Sequence, residues 1–251
     1  MRIAVCPVVL VAAASLYSQT PAFEVASVKP SNPNGGRMEI NGFYTYPGGR
    51  IVCRGCTLEY LLMEAFDVQS FQIAGGPAWL QSDRFELEAR PPATSKSVNA
   101  NPMSPKAPPN AEQRQMVQAL LADRFQLKSH RDTKHGTVYL LFRGSKPLRL
   151  EQPKVKSDFE FAGFVDGGIA GESVSMPTLA SRLSRYLDAP VLDKTAIAGQ
   201  FDFKFVYAQS DYSDLTSAIL AAMQDIDLKL ESSKGPVQTI MIDSAAKPSA
   251  N

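Results

Sequence analysis

The stretch Gly171–Tyr207, GESVSMPTLASRLSRYLDAPVLDKTAIAGQFDFKFVY, decides the reading of this chain. It opens with a short strand around Glu172–Val174. Leu179, Leu183, Tyr186 and Leu187 then share one face of a helix over Pro177–Leu187. A second strand is expected at Val191–Leu192, a turn at Gly199, and an alternating strand over Phe201–Phe205. The unit reads strand, helix, strand, strand, a βαββ order.

An earlier stretch has the same order. CTLEYLLMEAFDVQSFQIAGGPAWLQSDRFELEA, from Cys56, matches it as helix, short strand, glycine turn and alternating strand, with Phe85 in the place of Phe201. A second pair of segments matches further on. MVQALLADRFQLKSHRDTKHGTVYLLF, from Met116, lies beside SAILAAMQDIDLKLESSKGPVQTIMI, from Ser217. Both read as a helix and a hairpin, with Leu-Lys in the first strand (Leu127-Lys128 and Leu228-Lys229). The hairpins are Phe125–His130 with Thr137–Phe142 across Asp132–Gly136, and Asp227–Glu231 with Val237–Ile242 around Ser233-Lys234-Gly235. The identities are few, so pattern carries the duplication. The expected fold is α+β: two similar halves of helix-strand-strand units, helices packed on mixed or antiparallel sheets, with a secretin-N-domain-like βαββ pattern.

Other elements follow from local chemistry. Phe23–Lys29 alternates as a strand. Arg37–Ile40 and Phe43–Tyr46 flank Asn41-Gly42, a two-residue hairpin signal, and Arg50–Cys53 is a further short strand. Thr57 caps a helix whose Leu58, Leu61, Leu62, Ala65 and Phe66 form one face. Phe71–Ile73 and Arg84–Ala89 are strands. Asn110 caps a helix over Ala111–Asp123, with Val117, Leu120 and Leu121 inward. Leu215, Ala218, Ile219, Ala222, Met223 and Ile226 form a fourth helical stripe. The expected organisation is a signal peptide at 1–22, a first half at 23–143 with a Pro-rich loop at 91–110, a connector at 144–160, a second half at 161–243, and a tail at 244–251, loose over Lys247–Asn251.

The N-terminus looks like an export signal. Arg2 precedes an apolar run, Ile3–Ala14, too short to span a bilayer, and Ala13-Ala14-Ser15 offers a small-x-small cleavage site, as do Ser18 and Ala22. No later segment is apolar and long enough to cross a membrane. The expected location is therefore periplasmic or secreted. Without the leader, 25 basic and 25 acidic side chains remain, so no cationic excess favours nucleic acid. Cys53 and Cys56, as C-R-G-C, read first as a structural disulfide in an oxidising compartment, ahead of free thiols or a redox or metal role.

Catalytic motifs are absent. Gly171-Glu172-Ser173-Val174-Ser175 fails the nucleophile-elbow pattern at its last position. His130 and His135 lack zinc-ligand or triad spacing. There is no phosphate loop, no cofactor motif, and no singled-out carboxylate pair. No catalytic, cofactor-binding or metal residue is therefore assigned. Trp79 beside Gly75-Gly76-Pro77 reads first as a core lid. Its alternative is a ligand platform together with Tyr44 and Tyr46.

PAFEVASVKPS (from Pro21), TLEYLLMEAFDV (from Thr57), QIAGGPAWLQSDRFELEAR (from Gln72), LLADRFQLKSHRDTKHGTVYLL (from Leu120), PVLDKTAIAGQFDFKF (from Pro190) and MIDSAAKPSAN (from Met241) closely resemble an uncharacterised family of secreted soil-bacterial proteins abundant in Acidobacteria. The resemblance implies an exported bacterial protein. In some relatives a similar domain is fused to a membrane-embedded metallopeptidase of the antibiotic-sensor type, which implies sensing or binding. The C-R-G-C pair is not carried over as a family feature. Three functional expectations result. The first is a non-catalytic module binding a protein, peptide or envelope component through exposed strand edges. The second is a ligand sensor with a pocket between the halves. The third is a carboxylate hydrolase or a thiol oxidoreductase.

Overall fold

A computed structural model describes residues 21–31, 42–95, 109–154, 160–165, 168–206 and 214–248. The expected leader with Cys6, the expected strand Arg37–Ile40, most of the expected Pro-rich loop and most of the loop expected after Tyr207 lie outside these residues.

The strands are β1 (Val25–Pro30), β2 (Gly42–Thr45), β3 (Ile51–Thr57), β4 (Ile73–Gly75), β5 (Arg84–Arg90), β6 (Lys128–Arg143), β7 (Phe161–Val165), β8 (Gly168–Ser175), β9 (Val191–Asp193), β10 (Gln200–Val206) and β11 (Leu228–Ser244). The helices are α1 (Leu58–Phe66), α2 (Ala111–Arg124), α3 (Met176–Leu187) and α4 (Leu215–Asp225). They form three sheets, ordered β1-β5-β3-β2, β10-β8-β7 and β4-β11-β6-β9. The first two are antiparallel throughout; the third is mixed, with β4 and β9 parallel to their neighbours. This is the expected α+β architecture.

The helices start where side chains satisfy their first orphan N–H groups. Thr57 and Ser175 accept from Tyr60 N and Thr178 N at the equivalent helices α1 and α3. Asn110 and Asp214 accept from Gln113 N and Ser217 N at α2 and α4. The predicted stripes of α1, α2 and α4 are buried except at Phe66, which is partly buried, and at Leu215, which is exposed. The short strand expected at Phe71–Ile73 is instead a 3-10 turn, Ser70–Gln72, leading into β4.

The two expected hairpins do not form. Lys128–Arg143 and Leu228–Ser244 are each one continuous strand, and they pair antiparallel with each other along almost their whole length. Gly136 and Gly235 face each other at the centre. They serve close approach here rather than a turn. A Cβ on Gly136 would lie 3.1 Å from Val237, and one on Gly235 3.1 Å from Val138, so each glycine makes room for the valine of the opposite strand. A long partner strand satisfies the backbone on both sides of each glycine.

This ribbon carries each strand from one core to the other. Leu127, just before β6, belongs to the first core, whereas Leu141 of β6 belongs to the second. Leu228 belongs to the second core, whereas Ile240 and Ile242 belong to the first. We call the parts built on these cores lobes. The first holds β1-β5-β3-β2, α1, α2 and β4; the second holds β10-β8-β7, α3, α4 and β9. Each lobe is completed by the far end of the other sequence half's long strand.

Candidate binding edge in the second lobe

The bulge in each lobe sets the geometry. Two residues before each helix cap stand Gly55 and Ser173, both in the left-handed region with φ of 59° and 51°. Each lies within a register shift, between β3 and β5 or between β8 and β10. A carboxylate from the facing strand secures it. Glu86, following Phe85, accepts from Gly55 N at 3.1 Å; Asp202, following Phe201, accepts from Ser173 N at 2.7 Å. Each carboxylate also holds the chain on its far side. Ser31 Oγ donates to Glu86 at 2.6 Å, and Lys154 N donates to Asp202 at 3.0 Å. The backbone N–H of Ser173, and then that of Lys154, hold the Asp202 carboxyl below the usual range.

Beyond this shared clamp the lobes differ. In the first, β1 pairs with β5 from Pro30↔Phe85 to Val25↔Arg90. In the second, the chain approaching β10 makes a single bridge, Glu151↔Asp202, with backbone bonds of 2.8 and 2.9 Å. Two residues earlier it has turned away: Arg149 N donates to Ile226 O, and Arg149 Nη1 pairs with Asp225 at 2.9 Å. Because Asp202 directs its backbone bonds outward, alternation places those of Lys204 outward as well. No strand among the described residues covers them. A cleft of about 650 Å³ opens where the chain departs, lined by Arg149, Glu151, Lys154, Asp202, Lys204 and Asp225 among others. Its floor includes Gly171, which the Phe203 ring overlies so closely that a Cβ there would clash.

The residues singled out in the sequence sit elsewhere. Cys53 and Cys56 form a disulfide across the β3 bulge, and both are buried. Trp79 lies in a 3-10 turn, Ala78–Gln81, against the first core, edge-on to Phe85 at 6.1 Å and stacked on Phe125 at 6.4 Å. Lys247 lies over its ring at 5.7 Å and pairs with Asp83 at 2.6 Å, so the start of the tail expected to be loose is tethered. Tyr44 is on edge strand β2, and Tyr46 follows it with the Arg50 guanidinium 4.4 Å above its ring. His130 pairs with Asp243 at 3.0 Å, exposed at one end of the ribbon. Ser175 is engaged as the α3 cap, with its hydroxyl on Glu160 at 2.9 Å. Among the described residues, no group of three His, Cys, Asp or Glu side chains could hold a metal, and no helix is long and apolar enough to cross a membrane.

The sequence reading missed Glu86 and Asp202, which look like ordinary outward acids on alternating strands. Their shared place after Phe85 and Phe201 in the repeat was the available signal.

The chain is thus a duplicated α+β protein with two lobes on a shared ribbon. A family model matches residues 59–245, well over half the chain. The protein belongs to the family described as "Protein of unknown function (DUF3738)". Neither the curated proteins nor the solved structures gave a match.

Proposed function

We propose that the protein is an exported, non-catalytic binding module that takes an extended segment of a protein, peptide or envelope component onto the outer edge of β10. The single observation behind this reading is the difference between the lobes. The β5 edge carries a full strand, whereas among the described residues the equivalent β10 edge is engaged only at Asp202. Strand addition uses main-chain hydrogen bonds for affinity and adjoining pockets for specificity, and the cleft beside Lys204 adjoins this edge. The buried disulfide favours a structural role for the cysteine pair over thiol exchange, which needs an accessible sulfur.

The test is a proline scan of the edge. Lys204→Pro removes one outward N–H from an edge strand, a position where proline is tolerated. Partner retention from an envelope fraction should fall sharply in this variant and persist in Lys204→Ala, with circular dichroism unchanged in both. Equal retention by both variants would sink the strand-addition reading.

A second reading, an extracytoplasmic ligand sensor, draws on the same cleft, whose volume suits a small molecule. A small ligand would be lost on changing Arg149 or Lys154 and would survive Lys204→Pro.

A further inference from the structure

The ribbon of β6 and β11 sorts its side chains by charge. Its pairing runs without a register shift from Leu228↔Arg143 to Ile242↔Ser129. Directly opposed residues share a face, and successive residues alternate between faces. One face therefore carries Thr137 with Lys234, His135 with Pro236, and Thr133 with Gln238, and ends at Arg131. The other carries Lys128, Asp132, Lys134 and Glu231. Every carboxylate of the ribbon belongs to that second face, and each is engaged. Glu231 takes Lys229 at 2.7 Å, Asp243 takes His130 at 3.0 Å, and Asp132 accepts from Thr133 N at 2.8 Å. The first face holds no Asp or Glu.

Arg131, Thr133, His135, Lys234 and Gln238 are exposed. They occupy the stretch from Ile240, where β4 begins its pairing with β11, to Tyr139, where β9 begins its pairing with β6. Among the described residues no carboxylate pairs with Arg131 or Lys234. Bonds within the ribbon leave donors over. Lys234 Nζ donates to Thr137 Oγ1 at 3.1 Å and Gln238 Nε2 to Thr133 Oγ1 at 3.2 Å, while an ammonium and an amide each carry more than one N–H. Lysine on an unpaired strand guards against aggregation. Either sign, or both mixed, would serve that end, so sorting the signs by face goes beyond what the guard requires.

We propose that this face binds an acidic polysaccharide, a glycan chain bearing carboxylates, laid along the ribbon. The charge selects an anion. The length selects a chain, because Arg131 and Lys234 stand about 20 Å apart along the strands, too far for one small anion to bridge. Between them Thr133, Gln238 and Thr137 offer hydroxyl and amide groups suited to a partner rich in hydroxyls. Docking on a bilayer needs an apolar wedge, and single-stranded nucleic acid needs a row of aromatic platforms; the exposed side chains of this stretch supply neither. An extended peptide draws affinity from main-chain bonds at a strand edge, whereas these groups lie on a face. The surface uses none of the β10 residues and stands or falls apart from that edge.

Titration of the full chain with sodium polygalacturonate at low salt, followed by calorimetry, tests this beside neutral dextran, poly-L-glutamate and vesicles containing anionic lipid. Binding to polygalacturonate alone is expected, weakening as salt is raised. Arg131→Gln with Lys234→Gln should lower the affinity about fivefold or more. Lys128→Gln with Lys134→Gln removes the same charge from the other face and should change it by less than about twofold. Equal losses from the two pairs would reduce the interaction to unspecific attraction and overturn the assigned face. No binding to polygalacturonate, or equal binding to poly-L-glutamate or to the vesicles, would overturn the glycan. All the substituted residues are exposed, so both variants keep the fold, which circular dichroism checks.

Discussion

The first and second lobes share a bulge, a carboxylate clamp, two capped helices and an end of the long ribbon, yet they finish their sheets differently. In the first, β1 runs the length of β5 and a disulfide spans the bulge. In the second, one bridge replaces the strand, and Gly171 and Val174 stand where the cysteines would be. The comparison separates what the fold requires from what it permits. The clamp is present twice, so it belongs to the fold. The covered edge and the disulfide are present once, so the βαββ unit folds without them, and the uncovered edge is available for another use.

The largest expected effect tests the exchange of strands. Leu141 lies in the first sequence half but is fully buried in the second core. Leu141→Ala should cost about 2–5 kcal/mol, and hydrogen exchange should report the loss first in α3 and α4. A loss centred on α1 and α2 would mean that the lobes follow the sequence halves after all.

Next comes the clamp. Glu86→Gln and Asp202→Asn each weaken a charge-assisted bond to a bulge N–H, at about 1–3 kcal/mol. Asp202 has a depressed carboxyl in the folded protein. Its contribution is therefore present above the ordinary carboxylate pKa and is lost as pH falls through the depressed folded value. Glu160 behaves alike: burial pushes its carboxyl up, but hydrogen bonds from Thr178, Ser175 and Gln200 outweigh that and leave it lowered. Glu64 has the opposite sign, because its raised carboxyl makes ionisation costly in the folded state. Urea midpoints against pH should show Asp202→Asn losing the acid-dependent part of wild-type stability, and Glu64→Gln holding or gaining stability at neutral pH.

Removing the disulfide by Cys53→Ala with Cys56→Ala should cost about 2 kcal/mol, the low end expected for so short a loop. The loss should appear in the first lobe and leave the second lobe's exchange pattern unchanged. The smallest effect concerns Ser173, a non-glycine residue at φ 51° where the first lobe has Gly55. Ser173→Gly should raise stability by up to about 1 kcal/mol, and Gly55→Ser should lower it, as thermal melts would show.

Much of the fold was legible because local chemistry and tertiary packing agree. Thr57 and Asn110, read as caps, do cap helices whose apolar stripes meet the cores, while Ser175 and Asp214 cap two helices that the sequence showed by their stripes alone. The ribbon was not legible, because a glycine among polar residues looks the same whether the chain reverses or a distant strand crosses close by. Only the pairing of Gly136 with Gly235 decides between them. The open edge was hidden for a related reason: Lys204 looks like any outward lysine until β10 is set beside β5 and the missing strand is seen.

The central claim is that the β10 edge is open where the β5 edge is closed. Residue-resolved amide exchange on the free protein tests it most directly, by comparing Lys204 with Glu88, whose place in the first lobe is equivalent. The account predicts a protected Glu88 amide and a fast-exchanging Lys204 amide that gains protection when an extended partner binds. Equal protection of the two amides in the free protein would show that the second edge is already covered, and would contradict it.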